Sequence, residues 1–151
     1  MDYLKGSREP LLRKARAGDL AFIREKAAEW KLDDERLAVE QFLVAEDAGG
    51  RLAGFGRVKP YSNFFELGTV GVAVDWRGRG LGSMLVEALI ADFPADDVWI
   101  TTDLVSYFER LGFETTDNGP RELTEKIASV CRVKGRVACR MMLRRRSQAA
   151  R

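Results

Sequence analysis

The chain has 151 residues, 25 Lys and Arg against 23 Asp and Glu, a hydrophobic fraction of 46% and no His, a balance that fits a globular chain and argues against disorder. Without His the commonest general base and metal ligand are missing, which excludes serine-protease triads and zinc hydrolases, and Cys131 and Cys139 form no CxxC pair. No apolar run nears the roughly 20 residues of a membrane span, and no signal-peptide stretch opens the chain. The expectation is therefore a cytoplasmic chain with no metal, and one folded domain over residues 10–143 between a flexible 1–9 and a basic, disordered 144–151.

Residues 10–15 read as a first strand. A helix follows, with Leu20, Ile23, Ala27 and Trp30 on one face and Arg24, Glu25 and Glu29 on the other. A second short helix is predicted over 33–38. Two extended runs, 42–46 and 51–58, flank Asp47-Ala48-Gly49-Gly50 and make a hairpin. Residues 64–72 supply a fourth strand of central character. From Gly80 onward Leu81, Met84, Leu85, Ala88 and Leu89 recur at helical spacing, ending near Phe93-Pro94. Residues 97–101 make a strand and 104–111 a short helix stopped by Gly112. Pro120 starts a helix that turns Leu123, Ile127 and Val130 inward, and residues 137–143 alternate as a closing strand. Hairpins first and βα crossovers later give an α/β fold on a mixed sheet.

The sharpest local feature is Arg77-Gly78-Arg79-Gly80-Leu81-Gly82, between a strand and a helix. Glycines there let a backbone approach a ligand, and successive N–H groups leading into a helix N-terminus make an anion-binding concavity. A Walker loop would need Lys-Ser/Thr after its last glycine, and the spacing is not that of a dinucleotide-binding turn. A tight structural turn is the plain alternative. The charge is also uneven: after Glu125 come nine basic residues and no acid. That end is either a solvated strand and tail or an attractor of anions. Nucleic acid is not the expected partner, because no aromatic residue is interleaved with these arginines.

In context the sequence resembles the GNAT superfamily of acetyl-CoA-dependent N-acyltransferases. The resemblance rests on a strand (Val70-Gly71-Val72), an Arg-x-x-Gly-x-Gly loop and an amphipathic helix, followed by the strand Asp97–Thr101 and Tyr107-Phe108-Glu109-Arg110-Leu111-Gly112-Phe113. It covers about residues 10–143. It implies a mixed, mostly antiparallel central sheet flanked by helices and splayed between strands 4 and 5. It also implies acetyl-CoA as co-substrate. Backbone groups of Val70 and Val72 would meet the pantetheine arm and acetyl carbonyl. The amides of Gly78, Arg79, Gly80, Leu81 and Gly82, with Arg77 and Ser83, would hold the pyrophosphate. Thr101 stands where many members use Asn against the cofactor arm.

Acetyl transfer in this family is direct attack of an amine on the thioester. The resemblance makes Glu66 the candidate base, on the strand six residues before Val72, and a desolvated carboxylate binds a proton more readily than one in water. Many members carry a Tyr four residues before the Gly of Gly-Phe as the acid that protonates CoA thiolate. Here that position is Phe108, and Tyr107 beside it is the alternative acid, about 100° away around the helix. Thr101-Thr102, Pro120, Leu123, Ile127 and Cys131 are similar to the small N-acetylglutamate-synthase-like branch, which acetylates amino acids. A substrate carboxylate would need a cation, for which Arg57, Lys59, Arg132 and Arg136 are available. The residues Arg132-Val133-Lys134-Gly135 depart from that branch. The expected partner is a small-molecule amine; a silent acyl-CoA-binding domain and a protein amine are the alternatives. Relatives often dimerise, and the sequence does not fix the oligomeric state. Cys131 and Cys139 read as small buried side chains, not nucleophiles.

Overall fold

A computed structural model describes residues 9–136 and 138–148. Seven strands, β1 (Leu11–Lys14), β2 (Phe42–Glu46), β3 (Leu52–Pro60), β4 (Phe65–Val72), β5 (Asp97–Thr102), β6 (Glu114–Thr115) and β7 (Arg140–Arg145), are hydrogen-bonded in the order β1-β2-β3-β4-β5-β7-β6. The sheet is mixed and mostly antiparallel, as expected, with β4 and β5 parallel and registered at Glu66 opposite Trp99. Four α-helices accompany it: α1 (Leu20–Glu29), α2 (Leu81–Ala91), α3 (Val105–Glu109) and α4 (Arg121–Lys126). The residues fall into two compact units. One gathers the chain through Arg57 with Thr69–Leu89, and the other gathers Val58–Gly68 with the chain from Ile90 onward.

In the first unit α1 buries the face its spacing predicts. Ile23 packs with Phe42, Val44 and Phe55, and Trp30 stacks on Phe55 with ring centroids 5.9 Å apart. Each such side chain contributes about 1.5–3 kcal/mol by leaving water. Gly71 of β4 passes directly beneath the indole, where a Cβ would lie 2.8 Å from Trp30 Cε3. Leu81 and Leu85 of α2 pack on Ala45 and Ala53 of the hairpin. The hairpin turn is closed by Asp47, whose Oδ1 accepts the N–H groups of Gly49 and Arg51, both at 2.9 Å.

Residues 33–38 are not the helix that the sequence suggests; the segment is a turn followed by a 3-10 turn at Val39–Gln41. The reason is Arg57, which is fully buried on β3. Its guanidinium donates to the carbonyls of Asp33 (3.1 Å), Glu35 (3.0 Å) and Arg36 (3.3 Å), to Gln41 Oε1 (2.8 Å) and to Thr69 Oγ1 (2.9 Å). Carbonyls wrapped around a buried cation are not available to a helical ladder. Arg36 accordingly takes a positive φ of 51°.

In the second unit β5 pairs along its whole length with β7, and β6, a two-residue strand absent from the sequence expectation, pairs with β7 on its other side. Phe64, Trp99, Leu123 and Met141 form the core there. The helix predicted after Pro120 exists, but α4 gives way at Ile127 to a π-helical turn over Ile127–Cys131. A turn at Gly135 (φ +78°) and the bond from Arg136 N–H to the Cys131 carbonyl follow it. The last strand therefore begins at Arg140, not 137; Val137 itself lies outside the described residues. At its far end β7 runs on through Arg145, and a 3-10 turn occupies Arg146–Gln148. The arginines there are engaged internally. Arg144 donates to the Leu111 carbonyl, Arg145 pairs with Asp97, and Arg146 donates to the carbonyls of Ala91 and Phe93 at the end of α2.

Candidate active site

The two units each carry one group of the expected site residues. In the first, Val70 and Val72 lie half-buried on β4 just beyond Thr69, a buried residue with φ +49° inside the strand. A non-glycine residue in that region is strained by about 1–3 kcal/mol. The strain is held by its side chain, which accepts from Arg57 and donates to the Asp33 carbonyl at 2.8 Å. After a 3-10 turn at Val74–Trp76 comes the glycine-rich loop. Arg77 donates to the Val72 carbonyl at 2.9 Å and lies over the Trp30 ring; Arg79 lies over the Trp76 ring at 4.8 Å. The sequence thus brings Arg77 and Val72 together, and indole faces hold both arginines by cation–π contact.

Gly78 and Gly80 have φ of +78° and +83°, values an L side chain resists, and a Cβ at either would meet nothing within 4 Å. The glycines are therefore required by backbone conformation, with open space above them. The loop is exposed and leads into α2, whose first-turn N–H groups have no intrahelical acceptor. Leu81 is buried and anchors the helix start, while Gly82 and Ser83 are half-buried on its first turn. This cradle fits an anionic group of pyrophosphate size.

In the second unit β4 carries Glu66, 1% exposed. Its carboxylate is not in the bare apolar setting that the sequence suggests. Oε1 accepts from the Tyr61 hydroxyl at 2.9 Å. Oε2 accepts from Thr101 Oγ1 at 2.7 Å and from Lys126 Nζ, also at 2.7 Å. Glu66 and Thr101 were both expected in the site, and here they are in direct contact. Tyr61 and Lys126 were missed as partners. The one signal for Lys126 was its place, three residues after Leu123 and one before Ile127, on the inward face of the helix. Lys59, also buried, lies with Nζ 5.3 Å from the Tyr61 ring centroid.

Tyr107 sits half-buried on α3, edge-on to Phe108 at 5.1 Å and with the Arg110 guanidinium 5.9 Å from its ring. Phe108 is buried against Phe113. The tyrosine hydroxyl bonded to Glu66 is that of Tyr61.

Residues 38–115, more than half of the chain, match the acetyltransferase (GNAT) domain family. The chain belongs to the GNAT acetyltransferase family. No curated protein matches it in sequence. Among solved structures it is similar to N-acetylglutamate synthase from Neisseria gonorrhoeae, complexed with coenzyme A and N-acetyl-glutamate. That match has 20% identity, a TM-score of 0.72, 89% of this chain and 34% of the other covered. It is similar also to Rv2747 from Mycobacterium tuberculosis in complex with CoA (24% identity, TM-score 0.69, 90% and 99% covered). A third is a phosphinothricin acetyltransferase from Sinorhizobium meliloti in complex with AcCoA (17% identity, TM-score 0.63, 90% and 88% covered). The chain thus spans about a third of the length of the gonococcal synthase.

Within this GNAT domain the candidate substrate cations have distinct surroundings. Arg57 spends five hydrogen bonds on its own unit, so it holds fold and not ligand. Arg136 donates to Asp103, and that bond holds the Asp103 carboxyl below the usual carboxylate range. Arg132 is exposed. Cys131 and Cys139 are both free and buried; burial and then the neighbouring Cys131 push the Cys139 thiol up to about 12. Among the described residues no three His, Cys, Asp or Glu side chains converge as a metal site, and no helix is long and apolar enough to cross a membrane.

Proposed function

We propose that this GNAT domain transfers the acetyl group of acetyl-CoA to the primary amine of a small molecule, with Glu66 as proton acceptor. The observation that carries the reading is the Glu66 carboxylate, buried on β4 and oriented by Tyr61 and Thr101, on the same strand that leads into the positive-φ glycine loop. Glu66 takes the proton of the acceptor ammonium; the amine nitrogen attacks the thioester carbonyl, the C–N bond forms and the C–S bond breaks. CoA leaves as a thiolate and is protonated by Tyr107 or by solvent. The backbone of Val70 and Val72 receives the acetyl carbonyl and pantetheine arm, and Arg77, Ser83 and the amides from Gly78 to Gly82 receive the pyrophosphate. Each charge-assisted bond to phosphate is worth about 1.5–3 kcal/mol before ordering costs. With Thr101 bonded to Glu66, that residue serves the base more directly than the cofactor arm.

An amino acid is the favoured acceptor, in line with the likeness to N-acetylglutamate synthase. The test mixes protein, acetyl-CoA, a panel of amino acids and polyamines, and a thiol-detecting dye. Thiol release with some amine, lost in Glu66→Gln while CoA still binds, supports the reading. The burial of Phe108 at the position many members give to Tyr favours a second reading, acyl-CoA binding without transfer. Tight CoA binding with no thiol release across the panel would establish it.

A further inference from the structure

Lys126 is a primary amine already hydrogen-bonded to the residue assigned as base. Its Nζ lies 2.7 Å from Glu66 Oε2, with side-chain exposures of 9% and 1%. The geometry is that required of an acceptor at the moment it yields a proton, a nitrogen within direct hydrogen-bond reach of the carboxylate. The other Glu66 oxygen is fixed by Tyr61, so the oxygen facing Lys126 is the one that can move a proton toward it. A second, independent feature marks the same residue. Lys126 is the last residue of α4, and the helix widens into a π-helical turn at the next position; such turns occur mostly at functional sites.

We infer that Lys126 is an internal acetyl acceptor, acetylated on Nζ by acetyl-CoA held by its own chain. The inference rests on the acetyl-transfer reading above. In the step, the Lys126 ammonium gives one proton to Glu66 Oε2 and its nitrogen attacks the thioester carbonyl. The C–N bond forms, the C–S bond breaks, and coenzyme A leaves as thiolate and is protonated. The second nitrogen proton is lost as the amide forms, so one acetyl-CoA yields one acetyl-lysine, one CoA thiol and one proton to solvent. The product carries no positive charge, and the ion pair with Glu66 ends with the reaction.

The experiment incubates the full chain with acetyl-CoA alone and follows acetyl occupancy by peptide mass spectrometry, with the exposed Lys14 and Lys31 as internal measures of uncatalysed acetylation. Lys126 is expected to gain one acetyl group faster than either, at a first-order rate independent of protein concentration. Trypsin should cease to cut after it. Glu66→Gln should slow labelling of Lys126 by about 100-fold and leave Lys14 and Lys31 unchanged. Lys126→Arg keeps the charge and should abolish the specific label. Labelling of Lys126 no faster than Lys14, or equal labelling in Glu66→Gln, overturns the inference. If thiol is released with an added amine while Lys126 stays unmodified, the inference fails and the acetyltransferase stands. If CoA produces no binding heat and no amine releases thiol, both fail.

Discussion

Arg57 Nε donates to Thr69 Oγ1 at 2.9 Å, joining a fully buried cation to a strand residue with φ +49°. Replacing Arg57 by Met removes one partner of a buried pair with Asp33 (3.4 Å) and frees the carbonyls of Asp33, Glu35 and Arg36. Urea titration should show a loss of about 3–5 kcal/mol. Thr69→Val, which leaves Arg57 Nε without this acceptor, should cost about 1–3 kcal/mol. A loss within the error of a surface substitution would refute the structural role of the cluster.

Gly119 has no room for a side chain. A Cβ there would stand 2.0 Å from Met141 Sδ and 2.8 Å from Trp99 Cζ3. Gly119→Ala should overpack the core by about 1–3 kcal/mol. Gly18, where a Cβ meets nothing within 4 Å, is the control, and its Ala variant should unfold within about 0.5 kcal/mol of the parent.

At Gly80 the constraint is conformational. Gly80→Ala fills open space but must adopt φ +83°, at a cost of about 1–3 kcal/mol. Calorimetry should register weaker CoA binding, on the order of tenfold or more. Once CoA is saturating, transfer to amine should proceed at nearly the parental rate. Unchanged CoA affinity would remove this loop from the cofactor site.

Asp103 gives a pH dependence of known sign. Its bond from Arg136 lowers the folded-state carboxyl below its ordinary 3.8. The stabilisation is therefore complete above the ordinary value and is lost as pH falls through the lower, folded one. Arg136→Gln should flatten the acid limb of thermal stability below about pH 4 and leave the neutral plateau higher than that limb. An acid limb identical to the parent's would contradict the pairing.

With its thiol pushed up to about 12, Cys139 stays protonated at pH values where an ordinary thiol is already partly ionised. Iodoacetamide should modify it only as the chain unfolds, so alkylation should track urea-induced exposure. Rapid modification of the native chain would show that the pocket around it opens.

What the sequence made legible was whatever local physics dictates. Asp47 and the paired glycines announce the hairpin, the period of Leu81, Leu85 and Leu89 announces α2, and Gly78 and Gly80 announce backbone that other residues avoid. Periodicity reports only whether a position faces water or core. It therefore read residues 33–38 as a helix, because the cation that claims their carbonyls lies on β3, some 20 residues further along. It placed Glu66 in an apolar setting for the same reason, since Lys126 is 60 residues away in sequence. Long-range polar pairing leaves no periodic trace; its one local sign was a lysine among Leu123, Ile127 and Val130.

The widened turn after Lys126 has a consequence for how this segment tolerates change. A π turn accommodates one more residue than a regular α-helical one, and each residue of an α-helix rotates those beyond it by about 100°. Deleting a single position between Ile127 and Cys131 would let the ladder close regularly and swing everything downstream by more than a quarter-circle. The number of residues in this stretch is thus constrained as tightly as their identity, and substitutions there should be borne far better than indels.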